Sequence, residues 1–86
     1  MITQTETTSR YIAVAADQLI AICRDRKRTG FSAAEDERVR AIGWNLNQRG
    51  GFEAMTATHQ IVMRTLGAAL ARDVEISWSG IGNWLL

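Results

Sequence analysis

The sequence predicts an all-α protein, a compact bundle of about four helices whose ends are marked by glycine, closed by a short docked C-terminal tail. Three observations predict it. Apolar residues recur at helical spacing through most of the 86-residue chain. Glycine followed by an apolar residue stands where that spacing stops, at Gly30-Phe31, Gly51-Phe52, Gly67-Ala68 and Gly80-Ile81. A glycine just past a helix accepts the left-handed conformation, and the next apolar side chain folds back on the last turn. Proline is absent, so nothing of that kind interrupts long helices. The expected helices span 9–29, 32–49, 52–66 and 68–79, in a single helical domain over 9–86 preceded by a flexible segment 1–8.

In the first helix Tyr11, Ile12, Ala15, Ala16, Leu19, Ile20, Ile22 and Cys23 fill about half the circumference. So wide an apolar arc suits a helix packed against two neighbours. Thr7, Thr8 or Ser9 is the expected cap, and Arg10, Asp17, Arg24 and Arg28 lie on the solvated side. Arg24, Arg26, Lys27 and Arg28 crowd the last turn, where positive charge complements the helix dipole.

The second helix has the clearest start. Ser32-Ala33-Ala34-Glu35 is a capping box, with serine accepting from the third amide and glutamate reaching back. Its core stripe is Val39, Ile42 and Leu46, with Gly43 beside it. A glycine inside a helix costs about 1 kcal/mol relative to alanine, so the close approach of another helix or an aromatic ring is expected there. Trp44 lies roughly 160° around the helix from that stripe, at about 100° per residue. It is therefore either covered by the C-terminal tail or by Arg40 one turn earlier, as a cation–π pair, or offered to a partner.

The third helix follows Gly50-Gly51 and places Phe52, Met55, His59, Val62, Met63 and Leu66 on one face. His59 beside an apolar stripe reads first as a histidine hydrogen-bonded to a carbonyl or to Thr56 or Thr58. A general acid or base would also need a nucleophile or carboxylate partner. The fourth segment reads as a helix aligning Leu70, Ala71, Val74 and Trp78, or as a strand alternating Val74, Ile76 and Trp78. Helix is preferred, because no other stretch of the chain offers a partner strand.

Composition narrows the function classes. The net charge is +1, whereas a dedicated DNA-binding domain is usually far more basic. Cys23 is the only cysteine. That favours a reducing, cytoplasmic setting, as does the lack of signal-peptide order in Met1 to Arg10. No uncharged apolar run approaches the roughly 20 residues of a membrane span. One histidine and one cysteine on different helices make poor metal ligands. Gly80-Ile81-Gly82 lacks the third glycine, preceding strand and following helix of a dinucleotide fingerprint. Neither catalytic residues nor a cofactor, metal or small-molecule substrate is inferred, and no enzymatic activity is expected.

Two motifs carry a resemblance. Leu46-Asn47-x-x-Gly50-Gly51-Phe52-x-x-Met55 and Trp78-x-Gly80-Ile81-Gly82-x-Trp84 together resemble small uncharacterised bacterial proteins. The likeness covers roughly the C-terminal half and omits the first helix. It implies a compact soluble bacterial protein and brings no catalytic residues with it. The ending here, Trp84-Leu85-Leu86, is more apolar than the charged ending associated with the pattern, which points to a buried C-terminus.

Two functions are expected to compete. One is a cytoplasmic protein-interaction module or accessory subunit, binding a protein partner or itself through Trp44, Trp78 and Trp84 with Arg40. The other is a nucleic-acid accessory in which Arg24, Arg26, Lys27 and Arg28 act with Arg38 and Arg40 across the turn. Trp84 and Trp44 have no internal partner in this scheme except each other. They are expected either to meet and close the fold, or to be exposed together as the binding surface.

Overall fold

A computed structural model of the chain describes residues 3–26 and 30–84. Among them all regular structure is helical, in three elements: α1 Thr3–Asp25, α2 Ala33–Leu66 and α3 Ala68–Trp78. Val74, Ile76 and Trp78 are therefore helical, and the strand alternative is excluded. α2 is the centre of the arrangement, and both α1 and α3 pack on it. None of these helices is long and apolar enough to cross a membrane.

The expected fourth helix is absent as a separate element. Ranges 32–49 and 52–66 form one helix of 34 residues, kinked at Gly51, whose φ of 68° and ψ of −157° are non-helical. One residue in a glycine-only conformation re-aims the axis without needing a loop. A straight helix of that size would span about 51 Å, and the longest dimension of the molecule is 44 Å. Of the four expected glycine stops, only Gly67 is itself a cap, its N–H donating to Met63 O at 2.9 Å. α3 is capped by Ser79 rather than Gly80.

α1 is also shifted. It starts at Thr3, inside the stretch expected to precede it, so none of Thr7, Thr8 and Ser9 is its cap. Nothing in Thr3 to Ser9 is a glycine or proline, and the helix runs on. It ends at Asp25, because Arg26 leaves the helix. Its guanidinium pairs with Asp73 of α3 at 2.6 Å and lies over the Phe31 ring at 5.5 Å.

The capping box is present as read. Glu35 N–H donates to Ser32 Oγ at 3.2 Å, and Ser32 N–H donates to Glu35 Oε1 at 2.9 Å. α1 contributes Ala15, Leu19, Ile22 and Cys23 to the core, α2 contributes Val39, Leu46, Met55 and Val62, and α3 contributes Ala71, Val74 and Trp78. Phe52 and Met63, expected on the core face of the third helix, are exposed instead. Ala54 and Thr58 share the inward face with Met55, His59 and Val62, and Thr58 Oγ1–H donates to Ala54 O at 2.9 Å.

Candidate interaction surface

Trp78 is the most deeply placed ring in the chain. It is 0% exposed, and its Nε1–H donates to Val39 O at 2.9 Å. Its indole lies so close to Gly43 that a Cβ there would come within 2.6 Å of Nε1. This is the aromatic approach that the mid-helix glycine implied: removing the side chain at 43 makes room for the ring. Trp78 has no surface to give a partner.

Trp84 is likewise internal, at 8% exposure. After α3 the chain reverses through Gly80 and Gly82, whose φ values of 91° and 56° favour glycine. Gly80 N–H donates to Trp84 O and Trp84 N–H donates to Ile81 O, both at 2.9 Å, so the turn closes on itself. The Trp84 indole N–H donates to Glu75 O at 3.2 Å, and the ring meets Trp78 edge-on at 5.1 Å between centroids. Such pairs add about 0.5–1.5 kcal/mol to simple burial. Phe52 and His59 complete its surroundings at 5.5 and 5.4 Å.

Neither expected arrangement of Trp44 and Trp84 therefore occurs. Trp84 is enclosed by Trp78, Phe52 and His59, whereas Trp44 stands 46% exposed on the outer face of α2. Arg40 does not serve as its cover. The Arg40 guanidinium donates to Ser77 O at 2.5 Å and Ser79 O at 3.2 Å. It satisfies carbonyls left open at the end of α3, where a cation also suits the dipole. Of the four residues expected to bind a partner, only Trp44 keeps a large free apolar surface, because the other three are occupied by their own chain.

The two motifs of the resemblance meet in space. The Asn47 side chain lies against Gly82, where a Cβ would force it to shift, and Phe52 packs on Trp84. Their pairing is thus a packing relation between the kinked middle of α2 and the C-terminal turn.

In the basic group, Arg24 and Arg38 are exposed, while Arg26 is held by Asp73 and Phe31. Lys27 and Arg28 lie outside the described residues. Cys23 is buried, and burial pushes its thiol above the ordinary value of 9.0. The Arg26 charge opposes this, and Asp73 and Glu35 add to it. A thiol held neutral and enclosed is not a nucleophile.

One pair escaped sequence reasoning. His59 Nε2 lies 3.1 Å from Ala71 O and 2.9 Å from Glu75 Oε2. The carboxylate comes from α3, and Thr56 and Thr58 are not its partners. Both acceptors claim the same nitrogen, and the ring is enclosed beside Trp84. The pair fastens α2 to α3, with His59 only 7% exposed. No signal in the sequence could have matched Glu75 to His59, since helical periodicity does not say which turns of two helices adjoin.

A furrow also runs along the seam of α1 and α2. One depression of about 450 Å³ is lined by Gln18, Ala21, Ile22, Arg38, Ala41 and Ile42. Another, of about 400 Å³, is lined by Arg10, Tyr11, Val14, Gln18, Asn45 and Arg49. Gln18 borders both, so they lie end to end. Among the described residues no group of three or more metal-binding side chains occurs.

Searches against protein families, curated proteins and solved structures gave no match, and so bear neither way on the resemblance of the two motifs.

Proposed function

We propose that this chain is a small, non-catalytic, cytoplasmic protein-interaction module or accessory subunit that binds a partner through the outer face of α2, with Trp44 as its anchor. The observation that carries the reading is the contrast among the three tryptophans. Trp78 and Trp84 are buried and hydrogen-bonded, and Trp44 is 46% exposed on an otherwise polar face. Tryptophan is the residue most enriched among binding hot spots, and an unneeded one on a helix surface is costly in solubility. The nucleic-acid reading is less well supported. Of its described residues Arg26 and Arg40 are engaged within the chain, leaving Arg24 and Arg38 exposed.

The test is the native mass of the chain in extract of its own cells, compared with Trp44→Ala. The wild type migrates in a complex above its own 9.6 kDa. The variant returns to monomer size while melting at the same temperature. If Trp44→Ala unfolds the monomer, or leaves the complex intact, the reading fails.

A further inference from the structure

We infer that the furrow between α1 and α2 seats an acidic amphipathic helix of the partner protein, about three turns long. This rests on the interaction reading above and adds, beside the Trp44 anchor, which does not line the furrow, a second seat and the chemistry of what fills it. Length comes first. From Arg10 to Ile22 on α1, and from Arg38 to Arg49 on α2, each wall rises about 17 Å at 1.5 Å per residue. That matches roughly eleven residues of a docked helix.

The lining supplies the rest. Its floor is apolar, with Val14 51% exposed and Ile42 half-buried, and the small Ala21 and Ala41 let a second backbone approach. Every described charged residue lining these two depressions is an arginine, Arg10 and Arg49 at one end and Arg38 at the other; Glu53 lines the neighbouring depression beyond Tyr11 and Arg49. Among the described residues none of the three is in a salt bridge. Asp17, exposed on α1, is not part of the lining. The Arg49 guanidinium lies over the Tyr11 ring, 5.2 Å from its centroid, and its several N–H donors can still serve a carboxylate. Apolar helix residues on the floor with carboxylates at both ends satisfy this pattern, as in other helix-in-groove recognition. A second copy of the chain would bring the same arginines and a net charge of +1. Nucleic acid would leave the apolar floor without use.

The experiment titrates the full chain with a synthetic eleven-residue amphipathic peptide that has leucines at i, i+3, i+4 and i+7 and glutamates in its terminal turns. A twin peptide carries lysine in place of glutamate. Backbone NMR shifts locate the contact. Expected are shifts at Val14, Gln18, Ala21 and Ala41, and binding about tenfold tighter for the glutamate peptide. The double variant Arg38→Glu, Arg49→Glu, altered only at exposed positions, reverses that preference. Shifts elsewhere, equal affinity for the twins, or no binding overturns the inference. So does tighter binding of a single-stranded oligonucleotide, or self-association abolished by the double variant. In cell extract, a complex lost in Trp44→Ala but whole in the double variant removes the furrow and keeps the interaction module. A complex whole in both removes the two together.

Discussion

Gly43→Ala tests the packing that organises the molecule. On an open helix this change stabilises by about 1 kcal/mol. At position 43 the new Cβ would lie 2.6 Å from Trp78 Nε1 and 2.7 Å from Cδ1, when unstrained contacts sit near 3.5–4.0 Å. The indole must therefore retreat by about 1 Å. It has little freedom to do so. It is fully buried, bonded to Val39 O on one turn of α2, and backed by Trp84 at 5.1 Å. Overpacking costs about 1–3 kcal/mol, and loosening the Val39 bond about 1 kcal/mol more. After the propensity gain, the net destabilisation is about 1–3 kcal/mol. At about 4–8 °C per kcal/mol for a domain of this size, Tm falls by roughly 10 °C. Circular dichroism melts of the two proteins measure it. In a Trp78→Phe background most of the cost disappears, since the two sites are coupled. A Gly43→Ala protein as stable as wild type, or more so, would falsify this account of the glycine.

The remaining predictions follow from buried chemistry. Cys23, its thiol raised above 9.0 by burial, reacts with a disulfide reagent orders of magnitude more slowly in the folded protein than in urea; equal rates would contradict its enclosure. Folding favours the neutral thiol, so its contribution is complete below pH 9 and is lost as pH rises past 9.0 through the folded value. Urea midpoints measured from pH 7 to 10.5 should fall at the alkaline end in the wild type, and less in Cys23→Ala. His59 Nε2, facing the two acceptors Ala71 O and Glu75 Oε2, carries a proton. Long-range proton–nitrogen NMR reads this directly, and a neutral ring protonated on Nδ1 alone refutes the geometry. Glu75→Ala removes one acceptor, whose side chain is 27% exposed, and lowers stability by about 1 kcal/mol.

Helix existence was legible wherever it depended on neighbours along the chain. The capping box at Ser32 and Glu35 was readable because both partners lie within one turn. The need for a ring or backbone beside Gly43 followed from the cost of glycine in a helix. The identity of that ring, Trp78, did not, since it comes from another element. Helix boundaries were less legible. Gly50-Gly51 looks like a stop, but one residue at positive φ suffices to bend α2 and keep it one helix. In the C-terminal half of the helix Met55, His59 and Val62 keep the inward face, and Phe52 and Met63 end exposed.

The candidate site divides in the same way. Sequence alone determined that Trp44 lies off the core stripe, because angle around a helix is a local property. It also determined that the chain is helical and that Ser32 starts a helix. Only the tertiary structure decided which tryptophan is covered. Trp84 reaches Trp78, Phe52, His59 and the Glu75 carbonyl because the turn through Gly80 and Gly82 brings it back. Arg40 is drawn to the end of α3 rather than to Trp44. The arginine-lined furrow exists only once α1 and α2 lie side by side. These outcomes depend on groups distant in sequence becoming neighbours. Periodicity records which side of a helix is apolar, and carries no information about what lies against it.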